Sequence, residues 1–107
     1  MGAADGAEVF TLLVEVGRKP GDGLPEAASG AALLCYAAAR DEAEAVRETV
    51  ALLRTAGLAP LQAEGLGTAA ERSAAGQPPA DEERALMDRA AAENAVVVAQ
   101  VTPFFGD

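Results

Sequence analysis

Four stretches of the chain carry hydrophobic residues in patterns typical of β-strands. In residues 8–16, large apolar side chains occupy every second position, which is the period of a strand. Residues 31–39 and 58–66 are apolar runs of strand length, although the many alanines of the first leave a helix open there. Residues 95–101 contain three consecutive valines, a composition typical of a strand buried on both faces. The pattern therefore predicts four strands.

Two further stretches have the spacing of amphipathic helices. Residues 40–56 carry apolar side chains every three or four positions, with Asp41 and Glu44 placed as a capping box at the start. A second helix is predicted from Asp81, with acidic residues in the first turn where the helix dipole favours negative charge. The polar segment 67–80 between them is long for a loop in a small domain, which indicates either a short helical turn or a mobile functional loop.

The predicted order β-β-α-β-α-β indicates an α+β fold, with a four-stranded sheet and two helices packed mainly on one face. In its layers this arrangement resembles the ferredoxin-like plait, although that fold has a helix between its first two strands where this chain has a Gly- and Pro-rich loop. The length predicts a single domain over residues 1–107. We expect residues 1–7 to fray and residues 103–107 to form an aromatic tail.

Charge and composition exclude several classes of function. The formal net charge of −9 repels phosphate backbones and anionic membrane surfaces, so neither nucleic acid nor a membrane is an expected partner. The chain has no apolar run of the ~20 residues that span a bilayer, and its first residues do not resemble a signal peptide. A single cysteine fits a reducing compartment, so the predicted location is the cytoplasm.

The absence of histidine restricts the chemistry further. It removes nucleophile systems that depend on a histidine base and most zinc sites. If the protein were an enzyme, its acid/base group would be Glu15, Tyr36 or Cys35. Cys35 lies in an apolar run, however, and buried filler is its favoured interpretation. Helix capping and the helix dipole account for both acidic clusters, Asp41/Glu42/Glu44 and Asp81/Glu82/Glu83, so we predict no metal site and no cofactor.

The loop of residues 17–25 is a weak candidate for anion binding. It contains the adjacent pair Arg18 and Lys19, and Gly21 and Gly23 allow backbone N–H groups to approach a ligand. The loop lacks the spacings of known phosphate-binding motifs and joins two strands rather than opening a helix. A plain connection between strands is the favoured interpretation.

Two helices packed on one face would leave the other face of the sheet without cover. Exposed apolar surface of that kind usually marks an interaction site, and twofold dimers are the commonest closed oligomers. We therefore expect self-association through the uncovered face and the aromatic tail, which comprise Val9, Thr11, Leu13, Leu34, Tyr36, Phe104 and Phe105.

These observations favour a small, acidic, non-enzymatic domain that forms homo-oligomers and serves in binding or regulation. One alternative is a small dimeric enzyme of the plait type, with its acid/base group in a pocket on the sheet face. Another alternative is an accessory or inhibitor subunit whose acidic surface docks on a basic partner.

Overall fold

Four strands and three helices make up the computed structural model of the protein, which describes residues 7–106. The α+β class and the four-stranded sheet are therefore confirmed. In chain order the elements are β1 (Glu8–Val16), β2 (Gly30–Ala39), α1 (Glu42–Thr55), β3 (Pro60–Thr68), α2 (Ala69–Ala74), α3 (Asp81–Glu93) and β4 (Val96–Phe104).

The strands form one antiparallel sheet in the order β3-β1-β2-β4, which is consistent with a plait-like arrangement. The first two strands pair over their full length, from Glu8 opposite Ala39 to Val16 opposite Ala31. β3 adds to the free side of β1, and β4 adds to the free side of β2. The two central strands are therefore β1 and β2, while β3 and β4 are the edges.

The two long helices lie on opposite faces of the sheet. On one face Leu12, Val14 and Leu33 pack with Leu53 of α1, and on the other Tyr36 packs with Met87 of α3. The expectation that both helices pack mainly on one face is therefore wrong.

The end of β3 explains why the helices lie on different faces. α1 connects β2 to β3 across the first face, and the chain then bends at Gly67, whose φ of 95° is in the left-handed region that favours glycine. Thr68 caps the next helix by accepting the N–H of Glu71, whose carboxylate accepts the N–H of Thr68 in return. The chain thus begins a helix at once, and α2 and α3 pack on the second face.

Segment 67–80 contains a short helix, as one of its two sequence interpretations predicts. The C-terminal end also differs from expectation, because β4 continues to Phe104 and leaves little of the predicted tail. The predicted fraying concerns mainly residues 1–6, which lie outside the described residues, and Ala7 directly precedes β1.

The burial expected of the three valines in β4 is wrong. Val97 is buried beneath α3, but Val96 is only half-buried and Val98 is 39% exposed. The reason is the position of the strand, since β4 is an edge and α1 packs mainly over β2 and β3. A strand with the composition of a buried one therefore lies at the margin of the sheet.

The start of α1 is capped as its sequence predicts. The carboxylate of Asp41 accepts the backbone N–H of Glu44 at 2.8 Å. Glu44 in turn accepts the backbone N–H of Arg40, also at 2.8 Å. Ala45, Thr49 and Leu53 are the buried residues of the helix, and they anchor it on the first face of the sheet.

Replacing Thr49 with valine is expected to stabilise the protein. The Thr49 hydroxyl is fully buried and has no hydrogen-bond partner among the described residues. Valine has nearly the same shape without the hydroxyl, so the desolvation cost of an unpaired polar group disappears, about 1 kcal/mol. Urea unfolding measures the difference, with Thr49→Ser, which keeps the hydroxyl, as the destabilised comparison. Equal stability of the valine variant and the parent would contradict the assignment.

Candidate functional site

The second face of the sheet is covered only in part. Its end nearest Val9 and Tyr36 lies beneath α2 and α3, where Tyr36 is fully buried and Thr11 is 1% exposed. Val9 is half-buried beside the same helices. These three residues were expected in an intermolecular interface, but the chain's own helices cover them. The cause is again the placement of α2 and α3 on this face.

The remaining residues of the expected interface stay accessible. Leu13 is 37% exposed, Phe104 is 38% exposed and Phe105 is 64% exposed, while Leu34 is half-buried. The valines of β4 extend this apolar area around the edge of the sheet onto the face that carries α1. We call the part of this area on β4 and the adjoining β2 the β4 surface, which consists of Leu34, Val98, Val101, Phe104 and Phe105, while Leu13 lies beyond β2 on β1.

Next to the β4 surface lies a shallow depression of about 130 Å³. Leu13, Ala32 and Phe104 form its apolar part, and Glu15, Gln62 and Glu64 line the rest. Glu15 is exposed, as the uncovered end of the face requires. The depression therefore combines an apolar floor with acidic side chains that remain in contact with water.

A hydrogen-bonded network lies under the two helices of the second face. The Tyr36 hydroxyl donates to Glu83 Oε1 at 2.7 Å, and Arg72 donates to both oxygens of Glu83, at 3.0 and 3.2 Å. Arg72 also donates to the Thr11 hydroxyl at 3.2 Å. The Glu83 side chain additionally accepts the N–H of Ala80. The network thus joins β1, β2, α2 and α3 through side chains that are largely withdrawn from water.

The network shifts the pKa values of Glu83 and Tyr36 in opposite directions. The hydrogen bond from Arg72, followed by that from Tyr36, lowers the pKa of Glu83 to about 2. Burial, followed by the hydrogen bond to Glu83, raises the pKa of Tyr36 to about 12. Glu83 is therefore an anion and Tyr36 a neutral donor throughout the physiological range. An acid/base catalyst works best with a pKa near the working pH, and neither group has one.

The other two acid/base candidates have unrelated surroundings. Cys35 is fully buried in the core under α1, and this burial raises the pKa of its thiol to about 11. It therefore has the environment of a structural cysteine rather than a nucleophile. Glu15 is exposed, and its neighbour Glu64 is another carboxylate. The three candidates do not come together, since Cys35 faces the side of the sheet opposite to Tyr36 and Glu15.

The loop that joins β1 to β2 uses its arginine internally. The Arg18 guanidinium donates twice to the Asp22 carboxylate, at 3.0 and 3.2 Å, and also to the carbonyl oxygens of Pro25, Glu26 and Ala28. The hydrogen bond from Arg18 holds the pKa of Asp22 well below its ordinary value.

The glycines of this loop serve its shape. Gly21 and Gly23 both have positive φ, near 79° and 78°, and the carboxylate of Asp22 between them accepts the N–H groups of Lys19 and Leu24. A carboxylate thus occupies the place where an anion would have to bind. Lys19 remains exposed, but the geometry favours the plain connection over the anion site.

A groove of about 360 Å³ lies beside the network, between the start of β1 and the helices α2 and α3. Val9, Ala69 and Met87 provide apolar walls, and Arg84 and Asp88 line it as well. Sequence reasoning did not single out this groove, because its lining comes from separate elements that only the topology brings together.

Sequence reasoning also missed the role of Arg72 and Glu83. Capping explains Glu83 correctly, since it accepts the N–H of Ala80, but its main partners are Arg72 and Tyr36. The available signal was a lone arginine in a polar segment together with a tyrosine in an alanine-rich strand, because a buried tyrosine hydroxyl requires a hydrogen-bond partner.

Within residues 7–106, no three histidine, cysteine or carboxylate side chains converge as metal ligands would. None of the helices in this part of the chain is both long enough and apolar enough to cross a membrane.

Comparison with known proteins identifies the family of the chain without assigning an activity. No curated protein and no solved structure matches it. A family model described as a domain of unknown function (DUF8846) matches residues 9–105, a range that runs from β1 through β4. Because this match covers well over half of the chain, the protein belongs to the DUF8846 family.

Proposed function

We propose that the protein is a non-enzymatic domain that self-associates through the β4 surface, as a twofold dimer, and serves in binding or regulation. The observation that carries this proposal is the distribution of exposed apolar side chains. Of the eight large ones exposed in the described part of the chain, four lie on β4 or directly after it: Val98, Val101, Phe104 and Phe105. Clustered apolar exposure of this kind marks an interaction surface.

Burying such side chains in an interface is favourable. A fully buried valine, leucine or phenylalanine gains about 1.5–3 kcal/mol relative to an exposed one. A twofold interface buries each contributing side chain twice, so a few partly exposed residues per copy provide a substantial driving force. The small core, rich in alanine, gives the monomer a further reason to gain stability from association.

The position of the acidic side chains supports the same proposal. Glu15 and Glu64 line the depression beside Phe104, but they belong to β1 and β3, on the far side of β2 from β4. A dimer centred on β4 would therefore keep these carboxylates in water, whereas direct contact between two second faces would bring them together.

A single cysteine that is buried as a thiol accords with the cytoplasmic location that we propose.

The proposal is tested by size-exclusion chromatography with light scattering at tens of micromolar protein. We expect the mass of a dimer for the parent chain. Phe105→Asp is expected to raise the dissociation constant about tenfold or more, because in both copies a charge replaces an apolar side chain that the dimer would bury.

The matched control is Leu61→Asp on the opposite edge of the sheet, where Leu61 is 68% exposed. This variant should leave the mass unchanged. A strictly monomeric parent would overturn the proposal. A dimer that is equally sensitive to both variants, or to neither, would overturn the assignment to the β4 surface.

A further inference from the structure

The composition of β4 does not match its position in the sheet. An edge strand presents a row of backbone N–H and C=O groups that can pair with another chain, and proteins usually protect such edges with charged side chains. From Asn94 to Gly106 this chain has no charged residue at all. β4 is therefore long, apolar and unprotected by charge.

The central strand β2 shows what this composition normally accompanies. Residues 27–39, which include β2, are also free of charge. There the reason is burial, because β2 lies between two strands and has a helix on each face. In β4 only Val97 is buried. The chain's own packing thus explains the uncharged sequence of β2 but leaves that of β4 without a cause.

The opposite edge of the sheet is protected in the ordinary way. β3 begins at Pro60, carries Glu64 at its middle and contains Gly65 and Gly67, all of which disfavour pairing with a further strand. Its pairing with β1 is also interrupted twice by shifts of register. The two edges therefore differ: β3 carries a charge and two register shifts, whereas β4 has an uncharged regular segment between its single register shift and Pro103.

We infer that β4 pairs in antiparallel fashion with β4 of a second copy of this chain, so that two sheets join into one of eight strands. This inference rests on the proposed self-association and specifies its geometry. The twofold axis passes next to Val101, and the paired segment is short, running from Gln100 to Thr102.

The register follows from two irregularities in β4. Between Leu34 and Cys35 the pairing with β2 shifts, which makes Ala99 an extra residue on β4. Pro103 has no N–H to donate to a neighbouring strand. The regular segment between them is centred on Val101. An axis there places Val101 opposite its own copy and Gln100 opposite Thr102 of the second copy.

These pairs are chemically matched. Val101 lies on the face of α1, opposite Leu33, so two valines meet across the axis on an apolar side. On the other face Gln100 and Thr102 already lie within hydrogen-bond distance, with the Gln100 amide donating to the Thr102 hydroxyl at 3.2 Å. In the dimer the same amide and hydroxyl groups can bond across the strands. Cross-strand pairs of this kind are what stabilise a sheet.

Charge distinguishes a second copy from an unrelated partner. A residue on a twofold axis faces its own copy, so a charged side chain there would meet a like charge. For a chain of net charge −9, self-association through an uncharged region avoids this repulsion, and β4 is such a region. A basic partner attracted by the net charge would instead contact acidic side chains, and β4 offers none.

In the test, the native cysteine is removed from the full chain by Cys35→Ala, and a single new cysteine is then introduced at each chosen position. Under mild oxidation Val101→Cys should form a covalent dimer, because directly paired residues of antiparallel strands bring their Cα atoms within disulfide range. Leu61→Cys on the other edge and Leu13→Cys on the second face serve as controls and should remain largely monomeric on a non-reducing gel. Separately, Val101→Lys should weaken the dimer at least about tenfold, since it places two like charges at the axis.

Each outcome distinguishes this inference from the function on which it rests. A dimer by light scattering with cross-linking at Val101→Cys, but at neither control, supports both. A dimer that cross-links through Leu13→Cys instead means contact between faces, which overturns the β4 pairing and leaves self-association standing. Equal cross-linking at Leu61→Cys means random collision and overturns the pairing. A monomer overturns both proposals, and a complex with another protein in place of a dimer does so too.

Discussion

Replacing Glu83 with glutamine is expected to lower the free energy of unfolding by about 2–3 kcal/mol. Glu83 accepts hydrogen bonds from Tyr36, Arg72 and the backbone of Ala80. The side chains of Arg72 and Glu83 are only 15% and 26% exposed. Glutamine removes the negative charge, so the guanidinium of Arg72 remains largely buried without a counter-ion. Breaking one partner of a buried ion pair costs about 3–5 kcal/mol, and the partial exposure of this pair reduces that figure.

Urea unfolding measures the loss, and the matched control is Glu82→Gln. Glu82 lies in the same helical turn but is exposed, so its substitution should change stability by less than about 0.5 kcal/mol. Equal effects of the two substitutions would show that the helix terminus, rather than the network, is the source of the stabilisation.

The same variant should also change the acid stability of the protein. The folded state lowers the pKa of Glu83 from an ordinary value of 4.5 to about 2. Its contribution is therefore complete above about pH 5 and is lost as the pH falls towards 2. The difference in stability between the parent and Glu83→Gln should shrink over that window. A constant difference from pH 7 to pH 2 would contradict the assignment.

Replacing Gly30 with alanine is expected to destabilise the protein by about 2 kcal/mol. A Cβ atom at this position would lie 2.5 Å from the carbonyl oxygen of Val16 and 3.6 Å from the ring of Phe104. The oxygen belongs to the backbone of β1, so it cannot move aside as the end of a flexible side chain can. The strands would have to separate at the point where the loop closes, a form of overpacking that costs about 1–3 kcal/mol.

Gly106→Ala is the matched control for this substitution. A Cβ atom at Gly106 would meet no atom within 4 Å, so its thermal unfolding should resemble that of the parent. Because Phe104 borders Gly30, the destabilised variant should also weaken the dimer. A Gly30→Ala protein as stable as the parent would contradict the close approach of the two strands.

The elements of the fold could be predicted because each depends on local pattern. The alternation in β1 and the cap at Asp41 are properties of neighbouring residues, and both are present in the structure. The short helix α2 was one of two open interpretations, because its capping box at Thr68 and Glu71 lies within a segment otherwise typical of a loop. Its ends are stabilised locally, and its packing is not visible in the sequence.

The side of the sheet on which each helix packs could not be predicted in this way. It depends on the order of the strands, which the apolar pattern of each single strand does not determine. Three consecutive valines in β4 indicated a buried strand, whereas the strand lies at the edge. The sequence likewise does not show the hydrogen bonds of Glu83. Tyr36 lies 47 positions away, and Arg72 belongs to a different helix.

The position of β4 after the other three strands of the sheet has a consequence for synthesis. The strands β1, β2 and β3 are complete before β4 leaves the ribosome, and during that interval the side of β2 that will receive β4 has no partner. β2 is uncharged and rich in alanine and leucine, so an emerging or truncated chain presents the kind of edge that associates with other unfinished chains. β4 therefore completes the sheet and covers the exposed edge of β2 during biosynthesis.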